Sequence, residues 1–108
     1  MQTFIKVNER VINVQEISSL RFVSDDIYEG LFPKDDKGRY KIDWMSFTFA
    51  ELKLKTGEVI ELKYELYAPE AGEELEEWLD INRSEIRTAW NQLLQIIDPA
   101  EITTAREI

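Results

Sequence analysis

INRSEIRTAWNQLLQII, residues 81–97, is the stretch on which the arrangement of the whole chain turns. Asn82 is a helix-capping residue type, and Glu85 three positions later can reach back to it, the reciprocal pair of a capping box. Ile81 before the cap and Ile86 after it are spaced as a hydrophobic staple. Apolar residues then fall at Ile86, Ala89, Trp90, Leu93, Leu94 and Ile97, the i, i+3, i+4, i+7 pattern of an amphipathic helix. Pro99 disfavours the helical conformation at Asp98 and ends the element. The spacing therefore predicts a helix over residues 83–97.

Upstream, residues 70–80 predict a first helix with a narrow apolar stripe of Leu75, Trp78 and Leu79. The cap and staple at 81–86 argue for a break between the two. A single rod from Gly72 to Ile97 would measure roughly 39 Å at 1.5 Å per residue, long for a domain of this size. The stripe of the second helix spans about 160°, wider than one sheet covers. The first helix is the expected cover for the excess, with a homodimer through that flank as the alternative.

Before the helices the pattern is β. Phe4–Val7 and Val11–Val14 read as a tight hairpin across Asn8-Glu9-Arg10, Ile17 as a core plug, and Ser19–Val23 as a third strand. Residues 24–43 are irregular and expected to be mobile, with Gly38 as the tip of a short hairpin. From Trp44 to Tyr67 runs a long hairpin turning at Lys55-Thr56-Gly57. With Gly57 left-handed in a three-residue loop, Leu54 faces Glu58, Leu52 faces Ile60, Ala50 faces Leu62 and Thr48 faces Tyr64. A two-residue loop would set Lys53 against Ile60 and flip every side chain. Met45, Phe47 and Phe49 occupy odd positions but Leu52 and Leu54 even ones, which predicts a bulge near Ala50-Glu51 or cover on both faces.

The fold class is thus α+β: a bent antiparallel sheet of five to six strands (residues 2–67) against two C-terminal helices (70–80 and 83–97), in one domain of 108 residues. Residues 1–67 form its β part and 68–98 its helical part, and 99–108 is a tail that frays. In element order the chain resembles a pleckstrin-homology-type arrangement, a bent sheet closed by a C-terminal helix bearing a Trp. Five or six strands fall short of the seven in that fold, and the extra helix departs from it.

Composition removes several functions. There is no Cys and no His, so thiolate and Ser-His-Asp nucleophiles and His-based zinc sites are absent. The four glycines (30, 38, 57, 72) are isolated and form no phosphate loop. A net charge of −9 opposes binding to a phosphate backbone or an anionic membrane surface. No run of about 18 apolar residues would span a bilayer, and MQTFIKVNER lacks a basic region followed by an apolar stretch. A cytoplasmic protein without a signal peptide, cofactor or metal is expected.

Acidic residues supply what candidates remain. Between Lys63 and Arg83 there is no cationic side chain, and Glu73, Glu76, Glu77 and Asp80 fall at i, i+3, i+4, i+7. Such a face either docks a basic partner or is a solvated helix start whose acids complement the macrodipole. Glu73 with Glu77, or Asp35, Asp36 and Asp43, could offer oxygens to a hard cation, but neither set has EF-hand spacing. The aromatics Trp44, Trp78, Trp90, Phe47, Phe49 and Tyr64 are expected in the core rather than in a ligand pocket. The expected function is a non-enzymatic interaction module that docks a protein partner, of basic character, on its acidic surface. The alternatives are a small carboxylate-dependent hydrolase or small-molecule binder, and an acidic nucleic-acid mimic.

Overall fold

The computed structural model describes residues 3–97 and the main chain of residues 103–106. Strands β1 (Phe4–Val7) and β2 (Arg10–Asn13) form a hairpin of their own. Its two turn residues, Asn8 and Glu9, both take positive φ (50° and 66°), as the tightest right-twisted hairpin turn requires. The Asn13 side chain then caps a single 3-10 turn, Val14–Glu16, accepting from the Gln15 N–H at 3.0 Å. That turn breaks the pairing and starts a second sheet at β3 (Ile17–Phe22). Two antiparallel sheets therefore replace the single bent one.

β4 (Trp44–Leu54) and β5 (Val59–Tyr67) complete an antiparallel three-stranded sheet in the order β5-β4-β3. The long hairpin closes as its turn residues dictate. Leu54 N–H donates to the Glu58 carbonyl at 2.8 Å, Gly57 N–H donates to Leu54 at 2.9 Å, and Gly57 sits at φ +97°. Leu52 opposes Ile60 and Ala50 opposes Leu62. The ladder then slips between Thr48 and Ala50, so Thr48 meets Lys63 and Phe47 meets Tyr64. The bulge lies one residue earlier than the sequence pattern placed it. It turns both Phe49 and Ala50 into the interior, which is how odd and even positions of one strand come to share a core.

The helical region departs most from expectation. One helix, α1, runs unbroken over Leu75–Ile96, 22 residues and about 33 Å. Residues 70–74 precede it as a turn, with Gly72 at φ +87°. No break forms at residues 81–82, because both capping groups are used elsewhere. Asn82 Nδ2 donates back to the Trp78 carbonyl one turn earlier at 2.7 Å, and Asn82 Oδ1 accepts from the Tyr64 hydroxyl at 2.7 Å. Glu85 accepts from the same hydroxyl. Ile81 is 46% exposed and staples nothing. The stripes of the two expected helices lie in phase at 100° per residue, so Trp78, Ile86 and Trp90 are buried along one side of a single rod. A separate helix covering the flank of residues 83–97 therefore does not exist. Pro99 lies outside the described residues, as do Ile102 and Ile108.

The core gathers the inner faces of both sheets against α1. Ile5, Val7 and Ile12 come from the small hairpin; Ile17, Leu20, Phe22, Leu52, Leu62 and Leu66 come from the larger sheet. The stretch 24–43 is irregular, yet it sends Ile27 and Phe32 inside. Arg83 donates to the Ile27 carbonyl at 2.9 Å and Arg87 to Asp25 at 2.6 Å, tying it to the helix. Gly38 does head a small reversal, reduced to one bridge between Lys34 and Tyr40. Part of the supposed fraying tail, β6 (Thr103–Arg106), runs parallel beside Ser19–Phe22.

Candidate functional site

The turn Ala71-Gly72 delivers the chain from β5 into α1 and sets the acidic residues in place. Glu73 precedes the helix and accepts from the Glu70 N–H at 3.0 Å. Glu76 and Glu77 stand in the first turn, where carboxylates complement the positive end of the helix. Asp80 follows one turn later. All four are exposed, but Glu73 is not on the helix, so only three share its face. Glu76, Glu77 and Asp80 have no cationic partner among the described residues. Many of the chain's cations are committed elsewhere: Arg10 to Glu58, Arg21 to Glu51, Lys34 to Glu29, Arg39 to Asp35 and Arg87 to Asp25.

The strand end tied to the start of α1 bears a feature whose position differs from the sequence expectation. Trp44, expected in the core, is 52% exposed, and its cross-strand partner Tyr67 is 58% exposed. Both project from the face of the larger sheet opposite α1, together with Ser46, Glu65, Thr48 and Lys63. Strand parity carried the signal: Met45, Phe47 and Phe49 point inward, so Trp44 and Ser46 must point out. Trp78 and Trp90 are buried as expected. One bond ties the aromatic pair's strand end to the helix start, and a second closes the ends of β4 and β5. Trp78 Nε1 donates to the Tyr67 carbonyl at 2.9 Å, and Ala68 N–H donates to the Asp43 carbonyl at 3.0 Å. Tyr67 donates its hydroxyl to Glu65 at 3.1 Å. That bond, with the nearby charges of Glu65 and Asp43, pushes its phenol pKa up.

Concave features are modest. A groove of about 300 Å³ lies between the β1–β2 hairpin, the outer edge of β5 and the C-terminal half of α1. Val7, Phe49, Leu62, Ala89 and Leu93 line it, with Lys6 and Lys63 at its rim. A second depression of about 440 Å³ includes Glu29, Tyr40, Glu70 and Glu73. There Glu29 binds Lys34 at 2.8 Å and accepts from the Tyr40 hydroxyl at 2.6 Å, so its carboxyl pKa falls. Glu58 falls likewise beside Arg10. Both shifts run opposite to that of a carboxyl tuned as a general acid. Among the described residues no three acidic side chains converge as a cation site, and no helix is long and apolar enough to cross a membrane. No protein-family model, no curated protein and no solved structure matches the chain.

Proposed function

We propose that this protein is an interaction module that docks a basic segment of a partner protein on the end of the molecule formed by the start of α1 and the Trp44–Tyr67 pair. One observation carries the reading. Glu76, Glu77 and Asp80 are exposed without a cationic partner at the end of α1 that the Trp78–Tyr67 bond joins to the strand end bearing two exposed aromatic rings. Carboxylates attract Lys and Arg and steer their approach. Aromatic faces hold the same cations through the ring quadrupole, and Trp and Tyr are over-represented among residues that dominate interface energies. A nucleic-acid mimic would need its acids spaced along one strip like phosphates. Here only Glu76, Glu77 and Asp80 share a helix face.

The test is retention of lysate proteins on the immobilised chain at low and moderate salt, beside a variant carrying Glu73→Gln, Glu76→Gln, Glu77→Gln and Asp80→Asn. Salt-sensitive retention that the variant loses is the expected result. Retention that ignores both salt and the substitutions contradicts the reading.

A further inference from the structure

The outer edge of β5 is unpaired over a short window. In the β4–β5 ladder the Leu54–Glu58 bond fixes which residues turn their main chain toward β4. By alternation those are Ile60, Leu62, Tyr64 and Leu66, while Glu61, Lys63, Glu65 and Tyr67 turn theirs outward. Both ends of that outward edge are occupied. Asn8 Nδ2 donates to the Glu61 carbonyl at 2.6 Å, and Trp78 Nε1 donates to that of Tyr67 at 2.9 Å. Between them, no bond from elsewhere in the described chain reaches the outward N–H and C=O groups of Lys63 and Glu65. The apolar groove opens at the same level, lined by Lys63 and Tyr64 on one side and by Ala89 and Leu93 on the other.

We infer that the basic segment binds as an added strand on β5 across Lys63–Glu65, its main chain completing the open edge and an inward side chain entering the groove. Strand addition takes its affinity from main-chain hydrogen bonds and its selectivity from pockets for alternate side chains. Both parts are present here, the open edge at Lys63 and Glu65 and the groove that Lys63 also lines. Charge selects the occupant: Glu61 and Lys63 neutralise each other at 3.2 Å, which leaves Glu65 as the acid of the open window with no cationic partner among the described residues. An incoming strand with a basic residue opposite Glu65, and apolar ones beside it, matches edge and groove together. The inference rests on the docking reading above.

The probe is the capped peptide Arg-Leu-Thr-Leu-Arg, whose pattern is the same in either strand direction. It is titrated into the full chain by amide NMR. The main-chain amides of Lys63 and Glu65 should shift and become slow to exchange, with the methyls of Leu62 and Leu93 moving too. Lys63→Pro removes one outward donor, and a solvent-facing edge position tolerates proline. Leu93→Trp fills the groove from the helix side. Each should weaken the peptide about tenfold, the value of one good hydrogen bond or buried side chain. A loss below about threefold in both variants, with both chains folded by thermal melt, overturns strand addition. If binding then still falls on neutralising Glu76, Glu77 and Asp80, the docking reading survives without the strand. Should both proline and tryptophan abolish binding while that neutralisation does nothing, the strand stands and the acidic helix start is dispensable. Shifts of the Lys63 and Glu65 amides with protein concentration alone would assign the edge to a second copy and overturn the inference.

Discussion

Trp90 is the largest fully buried side chain, 1% exposed, with Phe22 set edge-on at 5.3 Å. Its indole Nε1 is buried and finds no acceptor among the described residues. A buried donor left without a partner costs about 1–3 kcal/mol, so the ring is held by packing alone. Trp90→Phe therefore removes a penalty while losing some volume, and should change stability by no more than about 1 kcal/mol. Trp90→Ser empties the site and should cost about 3–5 kcal/mol. Equal losses in a urea titration would show that the indole nitrogen does matter. Tyr64 is different. Burial, then the bond to Glu85, pushes its phenol well above the usual value. An unfolded tyrosine ionises near pH 10, whereas the folded one keeps its proton. The stability it contributes is thus complete below about pH 10 and lost as pH rises further. Thermal melts between pH 9 and 11 should fall more steeply for the native chain than for Tyr64→Phe, and parallel slopes would contradict this.

At the scale of elements, the local signals at Asn82 and Glu85 were real, but the tyrosine of β5 takes both side chains. That contact joins residues 18 and 21 positions apart, and no helix-capping pattern reports it. The in-phase stripe from Trp78 to Trp90 was legible and pointed to one rod. Arg83→Pro separates the two arrangements. Proline is welcome at the first position of a new helix but costs roughly 3 kcal/mol or more in a helix interior. With Arg83→Ala as control for the lost bond to Ile27, the proline variant should be less stable by about that amount. Equivalence of the two would mean a break at residue 82. The β4–β5 hairpin was readable to single-residue register as far as the bulge, because Gly57 fixes the loop and strand parity fixes the faces. Parity also placed Trp44 outside, a consequence that average aromatic burial concealed. The division into two sheets and the parallel seat of β6 depend on contacts between distant segments and leave no periodicity to read.

At the scale of the molecule, charge is unevenly spent. Arg83 and Arg87 tie the 24–32 stretch to the helix, and Arg10 joins the small hairpin to the long one through Glu58 at 2.9 Å. These pairs assemble the fold and leave the start of α1 with carboxylates alone. Exposed like-charge neighbours cost only a few tenths of a kcal/mol per pair, so stability neither requires nor forbids the cluster. Its acidity was visible in the sequence as the cation-free run from Lys63 to Arg83, and the exposure of Trp44 and Tyr67 was visible in strand parity. Binding of hexa-arginine, followed by Trp44 fluorescence at two ionic strengths, tests the central claim most directly. The native chain is compared with Glu76→Gln, Glu77→Gln, Asp80→Asn, and with the equal-charge control Glu9→Gln, Glu16→Gln, Asp36→Asn. The account predicts that the first variant loses salt-sensitive binding and the control keeps it; equal weakening in both would show a net-charge effect with no docking end at all.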